Sequence, residues 1–112
     1  MFTIATRYHF DSAHKLNNYK GKCAHLHGHR WVVEVFVCGD ELDATGMLVD
    51  FGVIKGKLKI LCDRLDHKFL NDMLDFNPTA ENLAKWFYKK LKVVTKVRIY
   101  ESPDSFAEYQ EC

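Results

Sequence analysis

Hydrophobic and polar positions follow two patterns along this chain, one typical of strands and one typical of helices. β-Branched and aromatic residues dominate positions 2–11 and 28–38, which predicts two strands separated by a polar loop. Residues 94–101 and 105–111 have the same character and flank the turn sequence SPDS, which predicts a closing pair of strands. The segment MLVDF at 47–51 is a candidate for one more short extended piece.

Helical periodicity occupies the middle of the chain. A first helix is predicted from Phe51 with Asp50 as its N-cap, and a second after Pro78 with Thr79 as its N-cap. Apolar residues recur at spacings of three and four along the first helix: Phe51, Ile54, Leu58, Leu61 and Leu65. Three residues define the buried face of the second: Leu83, Phe87 and Leu91.

The resulting order is β-β-α-α-β-β, which predicts the α+β class. Strand pairs at both ends with helices between them favour a four-stranded antiparallel sheet with both helices on one face. The chain has 112 residues and shows no internal repeat, low-complexity stretch or linker, so residues 1–112 are predicted to form a single domain.

Charge and hydropathy argue against several classes of function. The formal net charge of +1 gives no general case for binding nucleic acid or an anionic membrane. No apolar run approaches the ~18 residues of a membrane span, and the first residues lack the apolar core of a secretory signal. We therefore expect a cytoplasmic protein with no nucleic-acid partner and no membrane partner.

The four cysteines show no paired spacing, which favours free thiols in a reducing compartment. Cys38 and Cys62 stand among apolar residues, so we expect both to pack in the core. Cys23 lies in GKCAHLHGH, among basic and imidazole groups that lower the pKa of a thiol and favour the nucleophilic thiolate. Cys23 is therefore the candidate functional cysteine.

Histidine is unusually concentrated near the start of the chain, where five of the six residues fall within the first 29 positions. His27 and His29 are two apart on a predicted strand, so both side chains lie on one face. Gly28 between them lets a ligand or another backbone come close. His14 follows the first strand and can reach the same point, and we expect His9 and His25 to be ordinary polar residues.

Three neutral imidazoles with no fourth protein ligand form the open tetrahedral site that is typical of catalytic zinc. Copper or nickel would bind the same donors in vitro. The main alternative is a closed structural site in which Cys23 is the fourth ligand, and that alternative describes a structural zinc or binding module rather than an enzyme.

A second group of candidate functional residues lies further along the chain. Asp66 and His67 place a carboxylate beside an imidazole, a pair suited to proton transfer near neutral pH. Glu101 continues the inward-facing row of Val97 and Ile99, so it lies at the rim of the sheet or is buried with a partner. Such a partner could be a ligand that offers paired N–H donors.

The sequence resembles the 6-pyruvoyl-tetrahydropterin synthase family, and most closely its 6-carboxy-tetrahydropterin synthase branch, which serves queuosine precursor synthesis. The three-residue gap between Cys23 and His27 is similar to that branch. Six segments carry the resemblance: FDSAHKL at 10–16, Cys23-x3-His27-Gly28-His29, GMLVDFGVIK at 46–55, LDHKFLND at 65–72, NPTAENLAKW at 77–86, and Glu101.

The resemblance implies a role for each candidate residue. His14, His27 and His29 would hold Zn²⁺. Cys23 would be the catalytic thiol, with Asp66 and His67 as its partners in proton relay. Glu101 would anchor the pterin through its amino and ring N–H groups.

Two further sets of residues keep two interpretations each. Thr79 and Glu81 occupy positions of further pterin contacts, and they are equally well explained as a helix N-cap and a helix-dipole partner. Ala80 stands where some relatives have a second hydroxyl residue. Four basic residues near the histidines either hold phosphates or form a solvated loop: Lys15, Lys20, Lys22 and Arg30.

The implied reaction converts 7,8-dihydroneopterin triphosphate to 6-carboxy-5,6,7,8-tetrahydropterin with release of acetaldehyde and triphosphate. The alternatives are the 6-pyruvoyl-tetrahydropterin synthase reaction and cleavage of the dihydroneopterin side chain. The implied assembly is the tunnelling fold (T-fold), in which sheets of neighbouring subunits join into an oligomeric barrel. A homohexamer built as a dimer of trimers, with sites at subunit interfaces, is expected.

Overall fold

The computed structural model describes residues 1–111 and, at Cys23, the backbone only. Cys112 lies outside the described residues. The secondary-structure elements in chain order are β1 (Phe2–His14), a 3₁₀ turn (Lys22–Ala24), β2 (His27–Gly39), α1 (Phe51–Leu65), α2 (Leu70–Met73), α3 (Ala80–Leu91), β3 (Lys96–Ser102) and β4 (Ser105–Tyr109).

The four strands form one antiparallel sheet in the order β1-β2-β3-β4, which confirms the predicted α+β class. The β1–β2 register runs from Phe2 opposite Gly39 to His14 opposite His27. β3 pairs with β2 only between Val32 and Phe36, so the first residues of β2 extend past the end of β3. The overhang leaves a cleft beside the start of β2.

Alternation along the strands separates a buried face from an open face. Residues of β2 from Trp31 to Val37 are buried at every second position, because successive side chains of a strand point to opposite faces. α1 and α3 cover the buried face, and their buried residues are Ile54, Leu58, Leu61, Cys62, Leu65, Ala80, Leu83, Ala84, Phe87 and Leu91. The open face carries ion pairs, such as Arg98 with Glu108.

Both predicted N-caps are confirmed. The Asp50 carboxylate accepts the Gly52 N–H at 2.8 Å, and the Thr79 hydroxyl accepts the Asn82 N–H at 3.1 Å. Each cap satisfies one of the N–H groups that a helix start leaves unpaired.

Several details differ from the predictions. β1 is three residues longer than expected, so His14 is its last residue instead of following it. Residues 47–50 form no strand, Phe51 is exposed, and the short helix α2 was not predicted. Cys62 is buried as expected, but the prediction that Cys38 packs in the core is wrong. Val37 takes the buried face, so the strand period turns Cys38 outward.

Across residues 1–111, α1 is the longest helix, and no helix combines the length and apolar character needed to cross a bilayer.

Candidate active site

The β1–β2 register brings the three predicted metal ligands together. His14 and His27 are direct cross-strand partners, and His29 lies two residues further along β2 on the same face. Each ring offers one nitrogen, and these three nitrogens all lie within 4.8 Å of one another. His14 is completely buried, and its ring packs edge-on against Trp31 with centroids 4.8 Å apart. The sheet, rather than a loop, therefore holds the cluster.

Backbone carbonyls fix the orientation of two of these rings. His14 Nδ1–H donates to the Pro78 carbonyl at 2.8 Å, and His27 Nδ1–H donates to the His25 carbonyl at 2.7 Å. Because a carbonyl only accepts, both Nδ1 atoms carry the proton and both Nε2 atoms of the neutral rings carry a lone pair. These two Nε2 atoms lie 2.9 Å apart.

The donor set fits a metal ion. Two lone pairs that face each other at this distance repel unless a proton or a cation lies between them, and His29 Nε2 is buried without a hydrogen-bond partner. A tetrahedral zinc ion with Zn–N bonds of ≈ 2.0–2.1 Å would separate two imidazole nitrogens by about 3.3 Å, close to the spacing seen here. A histidine that ligates a metal through one ring nitrogen usually donates its other ring N–H to a carbonyl or carboxylate, as the rings of His14 and His27 do here.

Burial also keeps the rings in the ligating state. Desolvation lowers the pKa of His14 and, with the same main cause, the pKa of His29. Glu101 acts in the opposite direction on both residues, since a nearby carboxylate favours the imidazolium. The net lowering leaves neutral imidazole, the form that binds a metal, as the stable form at neutral pH.

Asp66 and His67 form the predicted pair at the outer edge of β1, directly after α1. His67 Nδ1 lies 2.8 Å from Asp66 Oδ2, and Asp66 Oδ1 accepts the Asp11 N–H at 2.9 Å. That backbone hydrogen bond is the main reason why the pKa of Asp66 is lowered. His67 adopts a left-handed backbone conformation with φ of 55°, held by its N–H donating to the Asp11 carbonyl at 2.7 Å.

Within one chain, this pair bonds to Asp11 and not to the imidazoles, and the His67 side chain is 79% exposed. The carboxylate therefore orients a ring that projects into solvent.

Glu101 lies on the same face as the histidine cluster, at the cleft left by the short β2–β3 pairing. A cleft of about 560 Å³ is lined by Gly28, His29 and Glu101 among others. A Cβ at Gly28 would meet only the Ser12 carbonyl oxygen, at 3.8 Å, so packing within the chain does not require glycine there. The absence of a side chain leaves that wall of the cleft open.

The remaining predicted residues take varied positions. Glu81 and Glu101 line a smaller cleft of about 210 Å³, whereas the Thr79 hydroxyl serves as the N-cap of α3. Arg30 donates to both carboxylate oxygens of Asp11, at 2.9 and 3.2 Å, and stays exposed. Three lysines that were predicted as phosphate ligands together with Arg30 are also exposed: Lys15, Lys20 and Lys22.

Cys23 lies in the 3₁₀ turn that precedes β2, four residues before His27. The predicted role of its thiol falls outside the described residues.

His9 and His25 are exposed and lie outside the histidine cluster, as expected. The two carbonyls that orient the rings, at Pro78 and His25, could not be found from the sequence, because every residue carries a carbonyl. Asn77 was also missed, although it precedes Pro78 and bonds to the chain beyond β1.

Comparison with known proteins places this chain among pterin enzymes. A family model described as 6-pyruvoyl tetrahydropterin synthase matches residues 3–112. The chain is 38% identical to 6-carboxy-5,6,7,8-tetrahydropterin synthase of Synechocystis sp., covering 97% of this chain and 93% of that protein. It is 31% identical to 6-carboxy-5,6,7,8-tetrahydropterin synthase of Haemophilus influenzae, covering 99% and 100%.

Solved structures show the same fold. The structure of Caenorhabditis elegans 6-pyruvoyl tetrahydropterin synthase matches with a TM-score of 0.88 and 28% identity, covering 99% of this chain and 96% of that one. The 6-pyruvoyl tetrahydropterin synthase of Plasmodium falciparum matches with a TM-score of 0.79 at 19% identity, covering 98% and 97%. At that identity the second likeness concerns the fold alone.

Proposed function

Because this chain belongs to the 6-pyruvoyl tetrahydropterin synthase family and is a lyase, we propose that it is a zinc-dependent enzyme of the 6-carboxy-5,6,7,8-tetrahydropterin type. The proposed substrate is 7,8-dihydroneopterin triphosphate, and the products are 6-carboxy-5,6,7,8-tetrahydropterin, acetaldehyde and triphosphate. In this proposal the product feeds queuosine precursor synthesis. The names of the relatives support the choice of reaction.

The observation that carries the proposal is the convergence of three imidazoles on one point. Two Nε2 lone pairs face each other at 2.9 Å and the third Nε2, on His29, is buried without a partner. His14, His27 and His29 would hold zinc and leave a coordination position open to substrate. Zinc in such a site supplies Lewis-acid polarisation of the hydroxyl and carbonyl oxygens of the substrate side chain.

Protein side chains have separate tasks in this proposal. Glu101, in the cleft beside His29, orients the pterin by accepting its amino and ring N–H groups. Cys23 accepts a proton from the side chain as a thiolate. Asp66 accepts the Nδ1–H of His67, which fixes the ring tautomer and leaves Nε2 of the neutral ring free to accept a proton and pass it on.

Two further contacts belong to the same proposal. Glu81 shares a cleft with Glu101 and lies at the mouth of the pterin site. Thr79 still has a hydroxyl proton to donate to the pterin, because in its cap it acts only as an acceptor.

The decisive experiment is product identification by mass spectrometry after reaction of the zinc-loaded protein with 7,8-dihydroneopterin triphosphate. We expect 6-carboxy-5,6,7,8-tetrahydropterin and one equivalent of acetaldehyde. If 6-pyruvoyl-tetrahydropterin or 6-hydroxymethyl-dihydropterin forms without acetaldehyde, the proposed reaction is wrong. A metal-free protein that stays folded but inactive supports an enzyme, whereas unfolding on chelation supports a structural zinc module.

We also propose that the site is completed between subunits of a homohexamer. The exposed His67 ring and the open cleft at Glu101 support a site shared between chains. Mixing and reassembling two inactive variants, His27→Ala and His67→Ala, tests this arrangement. Partial recovery of turnover is expected if one chain supplies the metal and its neighbour supplies His67, and no recovery would contradict a shared site.

A further inference from the structure

Near the end of β1, the segment that follows α1 covers the outer edge of the strand and pairs with the backbone of Asp11 and Ala13. The Asp11 N–H donates to the Asp66 carboxylate at 2.9 Å, while the Asp11 carbonyl accepts the His67 N–H at 2.7 Å. The Ala13 N–H donates to the Lys68 carbonyl at 3.1 Å. This edge would otherwise leave a row of unpaired backbone groups.

Beyond His14, two side-chain amides continue the same pattern in place of a strand. Asn71 Oδ1 accepts the Lys15 N–H at 2.9 Å and Asn71 Nδ2 donates to the Lys15 carbonyl at 2.8 Å. Two residues further on, Asn77 Oδ1 accepts the Asn17 N–H at 3.0 Å and Asn77 Nδ2 donates to the Asn17 carbonyl at 3.3 Å. Each asparagine therefore pairs with the backbone as a strand residue would.

Asn71 bonds to the residue next to His14, but only Asn77 is joined to the carbonyl that orients the His14 ring. Asn77 precedes Pro78, whose carbonyl accepts the His14 Nδ1–H at 2.8 Å. The chain from His14 to Asn17 and the dipeptide Asn77–Pro78 thus form a closed ring of hydrogen bonds and covalent links. The Asn77 carbonyl also accepts the Thr79 N–H at 2.8 Å, so the dipeptide is tied to the start of α3 as well.

We propose that Asn77 is a positioning residue for the metal centre: its amide clamp on Asn17 holds the Pro78 carbonyl on His14 Nδ1, which keeps His14 Nε2 aimed at the metal. This inference rests on the proposed function, since it assumes that the imidazoles hold a metal. Asn77 does not contact the ring nitrogens of the three histidines or line the cleft at Glu101. Its effect on zinc affinity therefore passes through Pro78 and His14. Partners that bond directly to a ligating histidine typically change metal affinity by 10–100-fold.

The test compares zinc affinities of the folded, full-length protein, measured by competition with a chromophoric chelator. Because Asn77 acts one step further out, Asn77→Ala should weaken binding about fivefold, below the range for direct partners. Asn77→Asp keeps the acceptor for the Asn17 N–H and loses the donor, so it should recover part of the affinity. Zinc affinity within about twofold of the unaltered protein in Asn77→Ala would overturn the inference.

Asn71→Ala is the matched control. It removes the same pair of hydrogen bonds from the same edge, at Lys15, but Asn71 has no direct link to the carbonyl that orients His14. We expect a loss of stability similar to that of Asn77→Ala, with zinc affinity changed less than twofold. An equal loss of affinity in both variants would show a general loosening of the edge and would overturn the specific role of Asn77.

A second measurement needs no variant. Coupling between two sites is reciprocal, so zinc must stabilise the Asn17–Asn77 pair by the factor by which that pair strengthens zinc binding. Hydrogen exchange of the Asn17 amide should slow about fivefold on saturation with zinc, and exchange of the Lys15 amide should slow less. Unchanged Asn17 exchange would overturn the inference alone, whereas an unaltered protein that binds no zinc would overturn the proposed function as well.

Discussion

His14 and His27 face each other across two neighbouring strands, with their Nε2 atoms 2.9 Å apart. The Nδ1 proton of each ring is already donated to a carbonyl, so neither neutral ring has a proton left for the contact. Two acceptors at this distance repel unless a proton or a cation lies between them. The contact is therefore the observation that most directly supports the proposed metal site.

Removing one of these rings should abolish tight metal binding. We expect His27→Ala to weaken zinc binding at least about a hundredfold. That is the largest loss usually produced by removing a mere hydrogen-bond partner of a ligating histidine, and here a ligand itself is removed. Equilibrium dialysis with metal analysis measures the change.

His25→Ala is the control for that experiment. His25 is exposed and contributes only its backbone carbonyl to His27 Nδ1, and that carbonyl remains in alanine. Its zinc affinity should match that of the unaltered protein. A large loss in His25→Ala would mean that the His25 ring itself is a ligand.

The stability of the metal-free protein should fall as the pH drops through the histidine range. Burial lowers the pKa of His14 in the folded state, whereas the pKa of a histidine in an unfolded chain is about 6.5. Below about pH 6.5 the unfolded chain takes up a proton that the folded chain does not, so the free energy of unfolding decreases. The decrease ends once the pH passes below the folded pKa, where both states are protonated.

Urea unfolding of the metal-free protein between about pH 8 and pH 5 measures this dependence. His14→Gln places no titratable group there, so its free energy of unfolding should vary less with pH over the same range. Equal slopes for the two proteins would show that His14 is not held neutral by burial.

The two described thiols should differ sharply in reactivity. Burial raises the pKa of Cys62 to about 12, and its side chain has no exposed surface. Cys38 is exposed, and its hydrogen bond with the Thr3 hydroxyl lowers its pKa. Iodoacetamide at neutral pH should therefore alkylate Cys38 and leave Cys62 unmodified.

Peptide mass spectrometry follows each cysteine separately. Concentrated guanidinium chloride should make both sites react, which provides the control for intrinsic reactivity. Alkylation of Cys62 in the folded protein at a rate similar to that of Cys38 would contradict the packing of α1.

The strand period explains why the convergence of the three histidines could be predicted and why the exposure of Cys38 could not be predicted from the composition around it. His27 and His29 share a face because they are two apart, and antiparallel pairing then needs only the correct register to add His14. Apolar neighbours suggested that Cys38 is buried, but Val37 already takes the buried face. Counting from Trp31 at steps of two would have placed Cys38 outside.

Features that depend on backbone groups or on distant segments could not be predicted. The Pro78 carbonyl lies 64 residues from His14 along the chain, and no residue type marks a carbonyl as an acceptor. The helix α2 has four residues, too few to show helical periodicity. The hydrogen bond between the Asp11 N–H and the Asp66 carboxylate joins residues 55 positions apart, and nothing in the sequence indicates it.

Loss of the Cys23 thiol should separate catalysis from metal binding. If Cys23 moves a proton, Cys23→Ala should lower kcat by about 10²–10⁴-fold, the usual contribution of a general acid or base. Zinc content, measured by metal analysis, should stay near that of the unaltered protein because three imidazoles suffice to hold the ion. Loss of the metal would instead make Cys23 a fourth ligand and favour a structural site.

Two helix caps of the same kind allow the two roles of Thr79 to be separated. Thr79 caps α3 beside the cleft that Glu81 lines, and Asp50 caps α1. Each alanine substitution should lower the free energy of unfolding by about 1 kcal/mol, because each leaves a helix N–H unpaired. Only Thr79→Ala should also raise KM for the pterin substrate, and Thr79→Ser should restore both stability and KM. A normal KM in Thr79→Ala would show that its hydroxyl serves the helix alone.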